Sequence, residues 1–311
     1  MILVTGATGF VGQALCAELS RRQMNYRPVS RMLRPGFVAI GAMDGAVDWS
    51  EALAGVETVM HLAARVHVMN ESAADPLAAF RAVNVDATAN LARQAASAGV
   101  RRFIFLSSIK VNGEATAAGK PFRASDTPNP DDAYGRSKLE AEQALLAIGA
   151  ETGMEVVIIR PPLVYGPGVK ANFASLMKLS ARPFPWPFGA VRNRRSLVYV
   201  GNLVDFMLLC ARHPLAGNRV FLISDGEDLS IGQLISKLSL AKGKKALMLP
   251  VPPALLEGLA AILGRKAAAQ RLLGSLQVDI SETRESTGWS PPYSVEEGLA
   301  ATVAADTTSA R

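Results

Sequence analysis

The first twelve residues constrain the fold more strongly than any other stretch. An apolar run over residues 1–5 leads directly into Gly6, Gly9 and Gly12, and a helical pattern extends from Val11 to Arg22. In a strand, turn and helix unit, the first glycine allows a tight turn, the second lets the backbone approach a pyrophosphate, and the third lets the helix pack closely on the strand. The helix N-terminus also offers unpaired N–H groups to an anion. We therefore expect a dinucleotide-binding turn here.

The rest of the first half alternates short apolar runs with helical patterns. Further strands are expected near residues 25–30, 37–40, 57–62, 102–106 and 155–159, with long helices over residues 76–98 and 133–148. This alternation predicts the α/β class, with a doubly wound parallel sheet. We expect a cofactor-binding domain over residues 1–165 and a smaller substrate lobe over residues 166–311. The chain is expected to return to the sheet near residues 221–223.

Composition narrows the class of protein. The 311 residues are 49% hydrophobic and 19% charged, which is typical of a globular protein. The formal net charge is +6, but the basic residues are scattered and aromatic residues are few, so a phosphate-rich cofactor and substrate fit better than a nucleic acid. Cys16 and Cys210 lie far apart in helical patterns, which predicts neither a disulfide nor a metal site. We expect no signal peptide and a cytoplasmic location.

Residues 246–264 are apolar except for Glu257 and are flanked by basic residues. Prolines 250, 252 and 253 prevent one continuous membrane-spanning helix. The favoured interpretation is a buried turn and helix of the substrate lobe. The alternative is an element that lies on a membrane surface.

Tyr134 and Lys138 are the first candidates for chemistry. They stand four residues apart in a helical pattern, so both side chains fall on one face. A phenol has an unperturbed pKa near ~10, and a fixed ammonium beside it is expected to lower that pKa toward the neutral range. Tyr134 would then serve as an acid or a base.

Six motifs occur together along nearly the whole chain: GATGFVG at 6–12, HLAA at 61–64, FLSSIKVNG at 105–113, YGRSK at 134–138, RPPLVYGPG at 160–168 and RRSLVYVGNLVD at 194–205. With them the sequence resembles the extended short-chain dehydrogenase/reductase family, in its nucleotide-sugar epimerase, dehydratase and reductase branch. The resemblance implies a Rossmann fold with a C-terminal substrate lobe, a UDP-sugar substrate and a homodimer without an integral membrane segment.

The cofactor is expected to be NADP(H), with NAD(H) as the alternative. The residue after the second strand is Arg31 rather than an acid that would bind the ribose 2′-hydroxyl, and a guanidinium suits a 2′-phosphate. Together with the resemblance, the expected cofactor contacts are Gly6, Thr8, Gly9, Phe10, Val11, Gly12, Arg31, Leu62, Ala63, Ala64, Asn84, Tyr134, Lys138, Pro161 and Val164.

The resemblance also assigns the catalytic set. Ser108 would share a hydrogen bond with the substrate oxygen that Tyr134 protonates or deprotonates, and Lys138 would bind the nicotinamide ribose. The expected substrate contacts are Ser108, Lys110, Asn172, Arg195 and Arg271, with Asp279 and Trp289 near the nucleotide pocket. The family's 4,6-dehydratases carry an Asp-Glu pair after the catalytic hydroxyl. Here Ile109 and Lys110 stand at those positions, which argues against a dehydratase.

The favoured function is an NAD(P)H-dependent reductase that acts at C4 of a UDP-4-keto-6-deoxy-N-acetylhexosamine, for a surface polysaccharide. One alternative is a UDP-hexose or UDP-N-acetylhexosamine 4-epimerase with bound NAD. The second alternative is a non-catalytic Rossmann sensor or scaffold. Lys110 is expected to add positive potential beside the sugar.

Overall fold

The computed structural model describes residues 1–66, 75–117, 119–180 and 184–309. Within these ranges the side chains of residues 171, 172, 267 and 307–309 are not described. Asn172, one of the expected substrate contacts, therefore lies outside the described side chains.

The strands are β1 (Ile2–Thr5), β2 (Tyr26–Ser30), β3 (Val38–Ala39), β4 (Thr58–His61), β5 (Arg102–Leu106), β6 (Glu155–Arg160), β7 (Leu163–Tyr165), β8 (Pro185–Trp186), β9 (Arg195–Tyr199), β10 (Arg219–Leu222), β11 (Asp228–Leu229) and β12 (Leu247–Met248). The α-helices are α1 (Phe10–Arg21), α2 (Ser50–Leu53), α3 (Pro76–Arg81), α4 (Ala87–Ser97), α5 (Ala133–Thr152), α6 (Ala171–Ser180), α7 (Val200–Arg212), α8 (Ile231–Ala241), α9 (Pro253–Ile262), α10 (Lys266–Leu273), α11 (Ser281–Thr287) and α12 (Val295–Ser309).

Seven strands form one sheet in the order β10-β6-β5-β4-β1-β2-β3, and each neighbouring pair is parallel. The expected doubly wound α/β sheet is confirmed. The chain does return to this sheet from the C-terminal half, because β10 pairs with β6 and places Phe221 opposite Ile159. Two smaller sheets, β11-β9-β7 and β12-β8, lie outside it.

Helices cover both faces of the large sheet. Successive residues of a strand point their side chains to opposite faces, so one strand contributes to both cores. Ile2 and Val4 of β1 belong to a core cluster that includes residues of α1 and α7. Leu3 belongs to a second cluster that includes residues of α2, α4 and α5. The three aliphatic residues of β1 therefore serve two cores.

The helix expected over residues 76–98 is interrupted. Between α3 and α4 the chain forms a single π-helical turn, Ala82–Asp86, and its Asn84 is buried. Such a turn inserts an extra residue into the helix and is frequent at functional sites. The helix expected over 133–148 is present as the longer α5, which ends at Gly153 in the left-handed conformation (φ 77°).

The prediction of a buried helix within residues 246–264 was wrong. None of the residues of α9 is buried, and Leu255, Leu259 and Ile262 are 65%, 57% and 84% exposed. The reason is that α9 packs chiefly on the neighbouring α10, and only Leu256 reaches the cluster around Trp186 and Ile235. In the described part of the chain, no helix is both long and apolar enough to cross a membrane.

The glycine turn is held by close packing of backbone on backbone. Gly6 has a φ of 66°, and a Cβ there would lie 2.6 Å from the backbone nitrogen of Ala63. A Cβ on Gly12 would lie 2.1 Å from the carbonyl oxygen of Gly6. Both positions exclude any side chain, because a carbon and a backbone atom do not approach so closely without a shift of the backbone.

A buried ion pair joins α5 to the ends of β5 and β6. Arg160 donates to both carboxylate oxygens of Glu142, at 2.9 Å from Nε to Oε1 and 2.5 Å from Nη2 to Oε2, and both side chains are nearly inaccessible. Ser107 at the end of β5 donates to the same carboxylate, and Arg160 also donates to Asn112 at 3.0 Å. Each charge is thus paired and hydrogen-bonded, as a buried ion requires.

We expect Glu142→Gln to lower the free energy of unfolding by about 3–5 kcal/mol, because it leaves the Arg160 guanidinium buried without its counter-charge. The matched control is Glu140→Gln on the same helix, which breaks the surface pair with Arg81 and should lose about 1 kcal/mol or less. Urea unfolding followed by circular dichroism measures both. Equal losses in the two variants would contradict the assignment of Glu142 as a structural charge.

We expect Gly12→Ala to prevent the native packing of α1 on β1, because the added carbon meets the Gly6 carbonyl oxygen. Gly258→Ala is the control, since a Cβ there meets no atom within 4 Å and alanine favours a helix. Thermal unfolding compares the two. A Gly12→Ala variant that melts with the wild type would show that the turn is not packed in this way.

Candidate active site

The site lies at the edge of the sheet where the parallel strands have their carboxyl ends. The segments after β1, β4, β5 and β6 meet there through backbone hydrogen bonds. Leu62 N–H donates to Thr5 at 3.3 Å, Ser107 N–H donates to Ile159 at 2.8 Å, and Ile109 N–H donates to Pro161 at 3.0 Å. The first bond joins the segments after β1 and β4, and the other two join those after β5 and β6. Ligands of open parallel sheets bind at this edge.

The glycine turn fits the phosphates of a dinucleotide. Helix α1 begins after Gly9 without a side-chain cap, so the side chains leave its first N–H groups to a ligand. Gly9 has no Cβ to cover them, and Thr8 is exposed beside the turn. Phe10 and Val11 instead pack with their side chains against the core, which leaves only their backbone to face a pyrophosphate.

Arg31 lies where the sequence predicted, directly after β2. Its side chain is exposed, and the preceding Ser30 is buried and donates a hydrogen bond to the carbonyl oxygen of Met32. This bond turns the chain at the end of β2 and leaves Arg31 at the edge where the ribose of a dinucleotide binds.

Lys138 is buried, with 2% of its surface exposed. Its Nζ donates to the carbonyl oxygen of Leu106 at 2.8 Å and lies 4.2 Å from the ring centroid of Phe105, both on β5. Burial lowers its pKa to about 7, although the Glu142 carboxylate works in the opposite direction. At neutral pH this lysine is therefore close to its own titration point.

Tyr134 lies in the first turn of α5, where Asp132 caps the helix by accepting from Gly135 N–H at 2.7 Å. The expectation that its pKa is lowered was wrong for this structure. Burial and then the Asp132 carboxylate raise the pKa of Tyr134 to about 12. The sequence argument counted the ammonium of Lys138 but not the loss of water around the phenol, which disfavours the charged form.

Ser108 caps the short 3₁₀ turn Ile109–Val111, and its Oγ accepts from the backbone N–H of Lys110 at 3.2 Å. Within the described residues this hydroxyl donates to no protein acceptor, which leaves its proton open to a substrate oxygen. Lys110 donates to Glu114 at 2.9 Å and also to Asp132. The positive potential expected from Lys110 is therefore balanced by two carboxylates, and the ammonium instead ties this turn to the start of α5.

Asn84 connects the segment after β4 with α5. Its Oδ1 accepts from the backbone N–H of Arg65 at 2.8 Å, and its Nδ2 donates to Ser137 Oγ at 2.9 Å. Ser137 in turn donates to the carbonyl oxygen of Tyr134 at 2.8 Å. Asn84, within the π-helical turn, therefore ties the segment after β4 to α5.

His61 is a buried, hydrogen-bonded residue of the sheet, and the sequence analysis missed this structural role. The ring is fully buried, with Nδ1 2.7 Å from the hydroxyl of Thr5 and Nε2 2.9 Å from that of Thr88. Burial, and secondarily the charge of Lys138, lowers the pKa of His61 to about 3, so the ring is neutral. Its position at the end of a buried strand, with threonines on two neighbouring elements, was the available signal.

The expected substrate residues are only partly brought together. The Nη1 of Arg195 donates to the carbonyl oxygen of Arg271 at 2.6 Å and of Gly274 at 3.1 Å, which joins β9 to the end of α10. Arg271 itself is exposed. The segments that carry the two arginines are thus neighbours, as expected.

Trp289 does not lie at this pocket. It packs on Phe206 at 5.0 Å between ring centroids and donates to Asp205 at 3.1 Å, and Asp205 accepts from Arg22 just after α1. That end of α1 is opposite the glycine turn. Asp279 accepts from Ser281 and pairs with Arg123 at 3.3 Å. The tryptophan was assigned from loose spacing, and its apolar ring is used in the core instead.

Comparisons with known proteins agree with this geometry. Residues 2–232 match the model of the NAD dependent epimerase/dehydratase family. A protein of Vibrio cholerae named UDP-glucose 4-epimerase is 46% identical over 98% of this chain and 94% of its own length. An Escherichia coli O157:H7 protein, named N-acetyl-alpha-D-glucosaminyl-diphospho-ditrans,octacis-undecaprenol 4-epimerase, is 30% identical over 96% of this chain and 92% of its own length.

Among solved structures, MoeE5 in complex with UDP-glucose and NAD has a TM-score of 0.78 and 25% identity, over 100% of this chain and 99% of that one. The Rossmann fold and the nucleotide-sugar branch of the sequence analysis are thereby confirmed. The family model covers the glycine turn, the end of β5 and the start of α5, which are the segments that form the site. The chain belongs to the NAD dependent epimerase/dehydratase family.

Proposed function

We propose that this protein is a 4-epimerase of a UDP-hexose or UDP-N-acetylhexosamine that keeps NAD bound through the reaction. The observation that carries the proposal is the contact between the turn that Ser108 caps and the start of α5, the helix of Tyr134 and Lys138, in a chain 46% identical to the Vibrio cholerae protein. The epimerase was the first alternative of the sequence analysis. It now takes precedence over the reductase.

Each of the three residues has a separate role in the reaction at C4 of the sugar. A bound nicotinamide supplies reversible hydride transfer at that carbon. Tyr134 takes the proton of the C4 hydroxyl and later returns it, while Ser108 donates a hydrogen bond that orients the oxygen. Burial and the Asp132 carboxylate raise the pKa of Tyr134, and a protonated Lys138 one helical turn away would favour its phenolate. Burial lowers the pKa of Lys138 to about 7. The stabilisation of the phenolate by Lys138 would therefore increase as the pH falls through this value and the lysine becomes protonated.

The second candidate is the C4 reductase of a UDP-4-keto-6-deoxy-N-acetylhexosamine with NADPH, in surface-polysaccharide synthesis. The exposed Arg31 after β2 favours it, since a guanidinium binds a 2′-phosphate well. The same three catalytic residues serve both reactions. The two differ in whether the reduced cofactor stays bound or is replaced at every turnover.

The carrier of the sugar is proposed to be UDP, held in part by Arg195 and Asn172. The name of the Escherichia coli relative describes a polyprenol carrier with the same diphosphate. Both carriers present a diphosphate to a cationic site, and Arg195 suits either. We further propose that residues 166–311 act as the substrate lobe, that the protein works in the cytoplasm, and that it forms a homodimer.

We expect purified protein to interconvert UDP-glucose and UDP-galactose, or their N-acetylated forms, without added nucleotide. Tyr134→Phe should reduce turnover by about 10²–10⁴-fold, the range of general acid–base catalysis. Tyr26→Phe is the control, because Tyr26 lies at the amino end of β2, away from the site at the carboxyl ends of the strands. Its hydroxyl is 2.9 Å from that of Ser20. Chromatography of the sugar nucleotides measures both. Turnover only with added NADPH and a 4-keto sugar would favour the reductase instead.

We expect Arg31→Ala to weaken NADPH binding by roughly 10-fold or more, since a hydrogen bond to a charged group contributes about 1.5–3 kcal/mol, and to leave NADH binding within about 3-fold. Arg93→Ala on the exposed side of α4 should change neither. Calorimetry with each nucleotide measures the affinities on protein stripped of bound nucleotide. A loss of the same size for both nucleotides would mean that Arg31 does not face the 2′ position.

A further inference from the structure

Helix α9 presents an apolar stripe to solvent. Leu255, Leu259 and Ile262, together with Leu263 at the helix end, recur at intervals of three and four residues and are 57–84% exposed. At about 100° per residue these side chains share one face of the helix, while Glu257 falls on the far side. This set of four is called the α9 stripe below.

Helix α9 does have a packed side, so the exposed stripe is a separate feature of the helix. Leu256 already packs the inner edge of α9 against the lobe, and α10 is the spatial neighbour of α9. Four large aliphatic side chains remain exposed beside that packed edge. An amphipathic helix normally turns charged residues to water there, so the pattern is the reverse of an ordinary surface helix.

Basic residues surround the stripe in the chain. Residues 242–271 contain six lysines and arginines, namely Lys242, Lys244, Lys245, Arg265, Lys266 and Arg271, against one acid, Glu257. Lys242 donates to the carbonyl oxygen of Met177, so it is partly engaged within the lobe. The others are exposed. An apolar helix face with cationic flanks is the composition that binds an anionic bilayer surface.

The same charge disfavours a second copy of the chain as the occupant. Two copies that met face to face on the α9 stripe would bring two sets of these cations together, and like charges across an interface oppose association. A bilayer with anionic headgroups satisfies the apolar stripe and the cations at once. Since no helix in the described residues can cross a membrane, the contact would be peripheral.

The stripe is also continuous with the substrate side of the molecule. The helix that packs on α9 is α10, and Arg195 donates to the carbonyl oxygen of Arg271 in that helix. Docking would therefore hold the lobe that carries the expected diphosphate residues close to the headgroups.

We propose that the α9 stripe and its flanking cations form a peripheral docking surface for an anionic phospholipid bilayer. The helix lies in the plane of the interface, with its stripe among the upper acyl chains and its cations at the headgroups. The proposal is independent of which C4 reaction the protein catalyses.

The test is flotation of the full chain with vesicles of phosphatidylcholine alone and of phosphatidylcholine with phosphatidylglycerol, with no sugar nucleotide present. We expect binding to the anionic vesicles only, and less of it as salt is raised. Leu259→Ser should reduce the partition coefficient by roughly tenfold, because a large apolar side chain no longer enters the interface. Lys245→Glu with Lys266→Glu should reduce it to a similar extent.

Leu215→Ser is the matched control, because Leu215 is 56% exposed and Leu259 is 57% exposed. The control should bind vesicles like the wild type, and all variants should melt with the wild type, since the altered side chains do not pack. Absence of binding to anionic vesicles would overturn the proposal, as would equal binding to neutral ones. A shift from dimer to monomer in Leu259→Ser by sedimentation, without vesicle binding, would assign the stripe to a second copy instead.

Discussion

Two charges buried one helical turn apart on α5 organise the active-site edge. Lys138 is compensated by the carbonyl oxygen of Leu106 and the ring of Phe105 on β5, and Glu142 by Arg160 on β6 and Ser107 after β5. Neither charge can be left without its partners inside the protein. These contacts therefore fix both the rotation of α5 about its own axis and its position along the two strands. At the start of the same helix, Asp132 accepts from Lys110, so the first turn of α5 lies against the turn that Ser108 caps.

The same constraint explains why the phenol differs from its expected behaviour. The fold that places Tyr134 in the first turn of α5 also half-buries it and sets it beside Asp132, and both effects raise its pKa. The lysine expected to oppose them is itself buried and has a lowered pKa. Spacing along the sequence reports that two groups share a face, but it does not report how much solvent either retains.

Elements with a strong local signal could be predicted from the sequence. The β5 strand has the expected bounds, and the return of the chain at β10 follows from an isolated apolar run. The π-helical turn at Asn84 could not be predicted, because it depends on packing against α5 and the segment after β4. The exposure of α9 could not be predicted either, since an apolar run has the same composition whether it faces a core or solvent. Lys138 was identified by its spacing from Tyr134, whereas Ser108 was identified only by the order of motifs along the chain, because a lone serine at a strand end carries no signal of its own.

An epimerase and a reductase share Ser108, Tyr134 and Lys138, so the decisive difference is the fate of the hydrogen at C4. The most direct measurement uses UDP-hexose deuterated at C4, turned over in the presence of unlabelled NADH and NADPH. The proposed epimerase returns the same hydrogen to the opposite face of the sugar, so the C4 epimer retains its deuterium. Deuterium that is lost to the nicotinamide pool, or product that forms only when NADPH is consumed, would contradict the account.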